Sequence, residues 1–412
     1  MHFLYNIAVK ATESLLPLAG RYSEKLRKFS DGRNGLFEDL ASKIAPGDKT
    51  IWFHAASLGE YEQAVPVILK VKEIFPGHKI VLSFFSPSGF EVKKNTSVAD
   101  VVTYLPLDTP ANAEKFLKVV HPDWALFIKY EFWPNFLQAL KNSNIRSLLI
   151  SGAFRENQLF FKPYGKWMRQ YLEAFEFFFV QNKKSEQLLQ QIGFENCKVS
   201  GDTRFDRVNA QLKQDNRLQF IEEFVGDKLC VVAGSTWPED EDLIVDFINR
   251  NHQSVKFIIA PHAIKAEKIQ GLQSKLKADS LLFSEKEGKP LKDAGVFIID
   301  TVGLLTKIYS YAHIAYVGGA AGNTGLHNIL EPAAFGVPVV IGHNFEKFPE
   351  AKELMEAGGL FSAENSTQAN KIFHKLVNDR EFREKTGSNS VAFIEQNKGA
   401  TERIYNYFLK NK

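Results

Sequence analysis

The stretch 314–342 constrains the fold more than any other part of this chain. An apolar run is followed there by a glycine-rich turn, a short helical segment and a second apolar run, which predicts strand, loop, helix and strand. Gly318 and Gly319 would let the backbone approach a ligand closely. A helix beginning near Asn328 would direct free N–H groups and a positive dipole end at an anion. The spacing matches neither the dinucleotide fingerprint nor the P-loop, so these residues alone indicate a phosphate or nucleotide site without specifying the ligand.

Short apolar, β-rich runs alternate with stretches of helical period from residue 51 onward. A charged, glycine-poor stretch interrupts this alternation at about 206–228, after which it restarts. Continuous apolar strands of this kind predict parallel sheets covered on both faces, and a chain of 412 residues is long enough for two domains. We therefore predict an α/β protein with two doubly wound domains in tandem. The predicted parts are an amphipathic segment 1–30, a first domain 31–206, a linker region 207–228 and a second domain 229–412, whose last helix could pack back on the first domain.

Charge and cysteine content exclude several classes of function. The formal net charge of +3 is too small to favour nucleic acid as the main partner. Cys197 and Cys230 follow no metal or redox spacing, which favours a reducing compartment.

The N-terminal segment 1–30 is the basic end of the chain. Its apolar residues are interrupted by Lys10 and Glu13, each of which would cost about 2.5–3.5 kcal/mol at the centre of a membrane-spanning helix. Two interpretations remain open: an amphipathic segment on an anionic membrane surface, or an ordinary helix packed on the protein.

Polar residues follow several predicted strands, and ligands of such sheets bind beyond the carboxyl ends of the strands. Ser57 and Glu60 have the S-x-x-E spacing of a helix capping box, yet a carboxylate at this edge is also suited to act as a general base. Glu131 is either a second carboxylate of the site or a buried salt-bridge partner.

In the second half of the chain, Ser235 and Thr236 offer hydroxyl groups to a phosphate. Asp240 and Asp242 form a D-x-D pair, but Thr236 with Glu239 makes a capping box here, so we predict a helix start and no metal. His262 and Lys265 follow the next strand, where either could meet a negative charge.

Five motifs occur together in one order. They are HAASLGE at 54–60, YEFWPN at 130–135, GDTRFD at 201–206, AGST at 233–236, and the glycine-rich stretch GG to GLHNILEPAAFGVPV at 318–339. As a set they resemble the 3-deoxy-D-manno-octulosonic acid (Kdo) transferases of lipopolysaccharide synthesis, over about residues 50–345. The resemblance implies a GT-B fold, two Rossmann-like domains facing a cleft. It also implies inverting transfer of Kdo from CMP-Kdo to a tetraacylated lipid A precursor at the cytoplasmic face of the inner membrane, with no cofactor.

The resemblance assigns roles residue by residue. Glu60 matches the proposed catalytic base of the family, and Glu331 matches a glutamate that faces the nucleotide. The other residues expected to bind substrate are Ser57, Gly59, Glu131, Arg204, Ser235, Thr236, His262, Gly318, Gly319, His327 and Asn328. This chain departs from the family at Pro261-His262-Ala263, where many members have Pro-Arg-His, and at Lys129, where a glutamate is usual.

Two other functions are compatible with parts of the pattern. Another GT-B glycosyltransferase or a sugar-nucleotide epimerase would share the glycine loop, but not the HAASLGE and YEFWPN segments together. A non-catalytic, membrane-associated nucleotide-binding protein would need the loop and no base.

Overall fold

The computed structural model describes residues 1–411, which form two compact units. The first unit comprises residues 1–207 and 398–412, and the second comprises residues 208–397. Each unit is built on one parallel sheet with helices on both faces. The predicted α/β class with two doubly wound sheets is thereby confirmed.

The first unit contains a seven-stranded sheet in the order β3-β2-β1-β4-β5-β6-β7. The strands are β1 (Lys49–Ala55), β2 (His78–Phe84), β3 (Val101–Tyr104), β4 (Pro122–Ile128), β5 (Arg146–Gly152), β6 (Phe177–Val180) and β7 (Cys197–Val199). The helices are α1 (His2–Ala19), α2 (Glu24–Asp31), α3 (Leu36–Lys43), α4 (Leu58–Ile74), α5 (Pro87–Lys93), α6 (Pro110–Val120), α7 (Pro134–Asn142), α8 (Lys166–Leu172), α9 (Lys183–Gln191) and α10 (Thr203–Gln211), the last of which begins in this unit and ends in the second.

Strand β1 shows why the sheet is covered on both sides. Trp52 packs into the hydrophobic cluster on one face, whereas its neighbours Ile51 and Phe53 pack into the cluster on the other. All three side chains are fully buried, as expected when alternate residues of an apolar strand meet two layers of helices.

The second unit contains a sheet in the order β10-β11-β9-β8-β12-β13-β14. Its strands are β8 (Leu229–Thr236), β9 (Val255–Pro261), β10 (Ser280–Leu282), β11 (Val296–Ile298), β12 (Ile314–Val317), β13 (Val339–Ile341) and β14 (Leu360–Ser362). Its helices are α11 (Gln219–Val225), α12 (Pro238–Asn251), α13 (Ala266–Lys275), α14 (Leu305–Ile308), α15 (Leu330–Ala334), α16 (Pro349–Glu356), α17 (Ser366–Asn378) and α18 (Arg380–Asn397).

The last helix, α19 (Ala400–Asn411), belongs to the first unit. The carboxylate of Asp206 accepts hydrogen bonds from the backbone N–H of Gly399 at 2.6 Å and of Thr401 at 2.8 Å, and so caps the start of this helix. Further along, the Phe408 ring lies 4.9 Å from that of Trp124. The chain therefore returns to its first sheet after completing the second.

The strand order reverses beside the first strand of each sheet. In the first sheet this point lies between β1 and β4, and in the second between β8 and β12. Crevices beyond the carboxyl ends of strands at such a point are the usual ligand sites of open α/β sheets. A ligand is therefore expected beside the loops that follow β1, β4, β8 and β12.

Candidate functional site

Glu60 lies in the first turn of α4, directly after β1. Its side chain is almost fully buried, and one carboxylate oxygen accepts a hydrogen bond from the Ser57 hydroxyl. The Ser57 hydroxyl makes no capping hydrogen bond to the backbone of the helix, so the two residues do not form the capping box that their spacing allows. The carboxylate therefore has no part in capping α4.

Lys129 approaches Glu60 from the end of β4, with 4.0 Å between its Nζ and Glu60 Oε1. Its backbone has φ of 72°, a left-handed conformation that is uncommon for lysine. Two hydrogen bonds to the neighbouring strand hold it there, from Lys129 N to Ile150 O and from Ala153 N to Lys129 O. Ser151, at the end of β5, also has positive φ, 51°. Such backbone strain at a ligand-binding edge is a common property of functional sites.

Glu131 belongs to a chain of buried polar groups. One of its oxygens accepts a hydrogen bond of 3.1 Å from the indole N–H of Trp133, which also lies 3.1 Å from His54 Nε2. Since an indole only donates, Nε2 of His54 is the acceptor, and Nδ1 then donates to the Ser83 hydroxyl at 2.9 Å. This network fixes Glu131 and Trp133 at the carboxyl end of β4.

Arg204 lies in α10 of the first unit, where its guanidinium is 2.8 Å from Asp202. Burial alone would raise the pKa of Asp202, but the charge of Arg204 and the hydrogen bonds from Arg204 and Gln63 outweigh burial and hold this pKa below its usual range.

Gly59 has open space around the position of a side chain, since an added Cβ would meet nothing closer than Ser57 Oγ at 3.8 Å. The local packing therefore gives no reason for a glycine at position 59.

In the second unit, Asp240 organises the glycine-rich loop after β12. Its fully buried carboxylate accepts hydrogen bonds from Gly319 N at 2.7 Å, Ala321 N at 3.2 Å and the Tyr316 hydroxyl at 2.8 Å. It also accepts from Trp237 N at 2.9 Å, at the start of α12. Asp240 is thus a structural clamp with all of its contacts inside the protein.

One detail of the sequence prediction is corrected here. The capping contact at the start of α12 joins Trp237 to Asp240 rather than Thr236 to Glu239. The reason is that β8 continues through Thr236, with an irregularity after Gly234, and delays the helix. In addition, the amides of Gly318 and Gly319 donate to Gly234 O and to Asp240, so they are not free to bind a phosphate.

The loop after β8 lies in very close contact with the glycine loop. A Cβ on Gly318 would stand 2.3 Å from Ser235 O, and one on Gly319 would stand 2.0 Å from Gly325 O. Both glycines are therefore needed for backbone packing. Ser235 itself has φ of 54°, and the Thr236 hydroxyl donates to Glu241 at 3.3 Å.

The helix predicted near Asn328 begins at Leu330 and is five residues long. Glu331 in its first turn accepts hydrogen bonds from the side-chain amide of Asn328 at 3.0 Å and from the Thr306 hydroxyl at 2.9 Å. Asn328 in turn accepts from Leu330 N at 3.2 Å. Glu331 therefore binds the side chain of Asn328 and takes part in a polar cluster rather than a capping box.

Three rings from three loops stack beside this cluster. Trp237 and His262 have ring centroids 4.4 Å apart at an interplanar angle of 23°, and His262 and His327 have centroids 4.6 Å apart at 37°. Burial, and then the nearby charge of Lys268, lower the pKa of His262. Burial and the proximity of His262 lower the pKa of His327 to about 4. We call Trp237, His262 and His327 the ring stack.

The sequence analysis missed the roles of Lys129, Asp240 and Trp237. The signal for Trp237 was its place directly after AGST at the end of a strand. The signal for Asp240 was its N3 position in a helix, but its partners in the glycine loop are 79 and 81 residues away and leave no local pattern.

Within residues 1–411, no cluster of three or more His, Cys, Asp or Glu side chains has the arrangement of a metal site. Over the same residues, none of the helices has the length and apolarity needed to cross a bilayer.

Comparisons with known proteins agree with this architecture. A family model described as 3-deoxy-D-manno-octulosonic-acid transferase matches residues 24–207. A 3-deoxy-D-manno-octulosonic acid transferase of Haemophilus influenzae is 26% identical over 93% of this chain and 90% of its own length. A bifunctional glycosyltransferase/methyltransferase of Fusobacterium nucleatum is 25% identical over 91% of this chain, which spans only 59% of that larger protein.

Among solved structures, the UDP-GlcNAc 2-epimerase of Neisseria meningitidis bound to UDP-GlcNAc has a TM-score of 0.61 and 18% identity, covering 88% of this chain and 100% of its own. At this identity the likeness concerns the fold alone. The curated relatives, the family model and the two doubly wound sheets agree: the chain has the GT-B fold and is similar to the Kdo transferases, a group of glycosyltransferases, over most of its length.

Proposed function

We propose that the chain transfers Kdo from CMP-Kdo to a hydroxyl group of a tetraacylated lipid A precursor, with inversion at the anomeric carbon. The observation that carries this proposal is the buried Glu60 carboxylate, which lies at the strand-order reversal of the first sheet and takes no part in capping its helix. A side chain held in this way is suited to take a proton from an acceptor hydroxyl.

In this proposal the first unit binds the acceptor. Glu60 removes the proton of the attacking hydroxyl, while Ser57 holds the carboxylate by a hydrogen bond. Glu131 is fixed by Trp133, and we assign it to binding hydroxyl groups of the acceptor. Lys129, close to Glu60, supplies a positive charge to a precursor that carries phosphate groups.

The second unit binds the donor in this proposal. Glu331 and Asn328 contact the nucleoside, and Ser235 lies beside the phosphate, at the loop edge where Gly318 permits close backbone approach. As the acceptor oxygen bonds to the anomeric carbon, the bond from that carbon to the phosphate oxygen breaks and CMP leaves with the electron pair. Groups that stabilise charge on the leaving phosphate therefore accelerate the reaction.

We further propose that α1 holds the protein on the cytoplasmic face of the inner membrane as a peripheral protein. The helix is attached to the first unit through polar groups, with Tyr5 donating to Asp108 at 2.7 Å and His2 lying 3.0 Å from Asn135. Its apolar side chains are instead exposed, namely Phe3, Leu4, Ile7, Leu15 and Leu18. An apolar face turned away from the protein is suited to insertion among lipids.

The decisive test is to incubate the purified protein with CMP-Kdo and the tetraacylated lipid A precursor. We expect stoichiometric release of CMP and a lipid product heavier by one or more Kdo residues. If the folded protein releases no CMP and forms no lipid product, the proposed activity is wrong.

A further inference from the structure

The ring stack brings together two histidines and a tryptophan from three separate loops. Trp237 follows β8, His262 follows β9 and His327 follows β12. Because β9, β8 and β12 are neighbours in the sheet, these loops meet at the edge where the strand order reverses. The stack thus occupies the position at which a ligand of the second unit is expected.

Two other rings pack against His262. The ring centroids of Trp237 and His327 lie 4.4 Å and 4.6 Å from that of His262, at interplanar angles of 23° and 37°. The ring nitrogens lie at its edge, and the residue is exposed to solvent, so His262 is suited to hydrogen-bond an anion.

We propose that His262 and His327 together bind the single negative charge of the donor's phosphodiester, and that His262 takes up one proton from solvent as the anion binds. This inference rests on the proposed function, since it assumes an anionic nucleotide ligand. His327 remains neutral and contributes an N–H group. The phosphodiester then meets an imidazolium that is absent from the ligand-free protein.

The charges around the stack support this assignment. Burial lowers the pKa of both histidines, and the Lys268 ammonium, 5.1 Å from the Trp237 ring, lowers that of His262 further. A bound anion opposes both effects, because its charge offsets that of Lys268 and stabilises the protonated ring.

The carboxylates of the elements around the stack have other partners. Asp240 is bonded to the glycine loop, Glu241 to Thr236, and Glu331 to Asn328 and Thr306. Glu239 lies against Gly322, where its Cδ is 3.3 Å from the position of a Cβ. None of these contacts joins a carboxylate to either imidazole.

The test measures binding of the methyl ester of CMP by calorimetry between pH 8 and pH 6. This probe is a phosphodiester whose charge does not titrate in that range. For the unmodified protein we expect the Kd to fall by up to about tenfold for each unit by which the pH is lowered, because one proton is taken up on binding. Repeating the titration in buffers with different heats of ionisation counts that proton directly.

Matched variants separate charge from packing. His262→Arg carries a permanent charge, so it should bind the ester with an affinity that does not change with pH. His262→Gln retains a hydrogen-bonding edge without the charge and should bind at least tenfold more weakly at pH 6. His374→Gln, on the exposed side of α17, should behave like the unmodified protein. Circular dichroism confirms that each variant is folded.

The outcomes distinguish this inference from the proposed function. If the unmodified protein binds the ester equally well at every pH, or if His262→Gln binds as tightly as the unmodified protein, the proton-linked site is wrong while donor binding stands. If neither the unmodified protein nor His262→Arg binds the ester at any pH, the assignment of a CMP-sugar donor falls as well.

Discussion

At the scale of single residues, the carboxylate of Glu60 is notable because it does not cap its own helix. The same S-x-x-E spacing that allows a capping box places the carboxylate beside the Ser57 hydroxyl and the Lys129 ammonium instead. A glutamate that completes a capping box accepts a hydrogen bond from the backbone at the start of its helix, and Glu60 does not. The geometry therefore favours the chemical role.

Replacing Glu60 by glutamine tests that role. Loss of a general base typically lowers the rate by about 10²–10⁴-fold, so kcat of Glu60→Gln should fall in this range while binding of CMP is unchanged. Glu62→Gln is the matched control, because Glu62 lies in the same helix but pairs with Arg207 at 3.0 Å. Nearly full turnover by a folded Glu60→Gln protein would remove Glu60 from the mechanism.

Asp240 offers a second residue-scale test, this time of loop structure. Asp240→Asn replaces one of the two carboxylate oxygens by an amide N–H₂ group, which cannot accept the hydrogen bonds that this oxygen received. Each buried N–H group left without an acceptor costs about 1–3 kcal/mol. We expect lower stability of the second unit and at least tenfold weaker binding of CMP. Asp242→Asn, whose carboxylate pairs with Lys275, should change the stability by no more than about 1 kcal/mol and the affinity for CMP by no more than about twofold. If both variants bind CMP with equal affinity, the hydrogen bonds of Asp240 to the glycine-rich loop do not affect ligand binding.

The lowered pKa of His327 should make the stability of the protein depend on pH. The pKa of His327 in the folded protein is about 4, below the ordinary value of 6.5. Between these two pH values, His327 therefore binds a proton in the unfolded chain but not in the folded protein. The free energy of unfolding therefore falls as the pH drops from 6.5 towards 4, by as much as about 3 kcal/mol from this residue. Urea titrations at pH 7 and pH 4.5 should show a smaller loss for His327→Gln. His262 and His313, whose pKa values are also lowered by burial, account for part of the loss that remains.

At the scale of secondary structure elements, α1 is amphipathic in an unusual sense, because its polar side is the one attached to the protein. The Tyr5 hydroxyl donates to the buried carboxylate of Asp108, which also accepts from Asn135 N at 3.1 Å and Phe136 N at 3.0 Å at the start of α7. The polar groups of α1 thereby hold it against the segment that carries Glu131 and Trp133. Neither sequence-based alternative for the N-terminus foresaw this combination of attachment and apolar exposure.

Substituting serine for Phe3, Leu4, Leu15 and Leu18 tests whether this face binds lipid. The side chains are largely exposed, so the change should not destabilise the fold. Each of these side chains contributes about 1.5–3 kcal/mol when it is fully buried in a bilayer, so the loss of all four should lower sedimentation with anionic vesicles by at least about tenfold. Leu69→Ser, an exposed position of α4, serves as the control. Unchanged vesicle binding would refute the proposed anchor.

At the scale of the whole molecule, the sheets were predictable and the loop contacts were not. Strands such as Lys49–Ala55 are buried on both faces, so their apolar runs identify them without tertiary information. The position of Glu60 follows from one strand and one turn. In contrast, the ring stack depends on loops at positions 237, 262 and 327, which only the parallel strand order brings together. Backbone strain at Lys129 likewise depends on hydrogen bonds to the next strand.

The division into two units makes a final prediction about ligand response. Under the proposed function CMP binds groups of the second unit, and a ligand that binds only folded protein stabilises it by about 2.7 kcal/mol at one hundred times its Kd. Hydrogen exchange should therefore slow most in β8, β12 and the loops after them, within residues 208–397. Strand β1 and helix α4 should show little change, because they belong to the first sheet. If protection is confined to the first unit, CMP binds there, and the assignments of the donor to the second unit and the acceptor to the first must be exchanged.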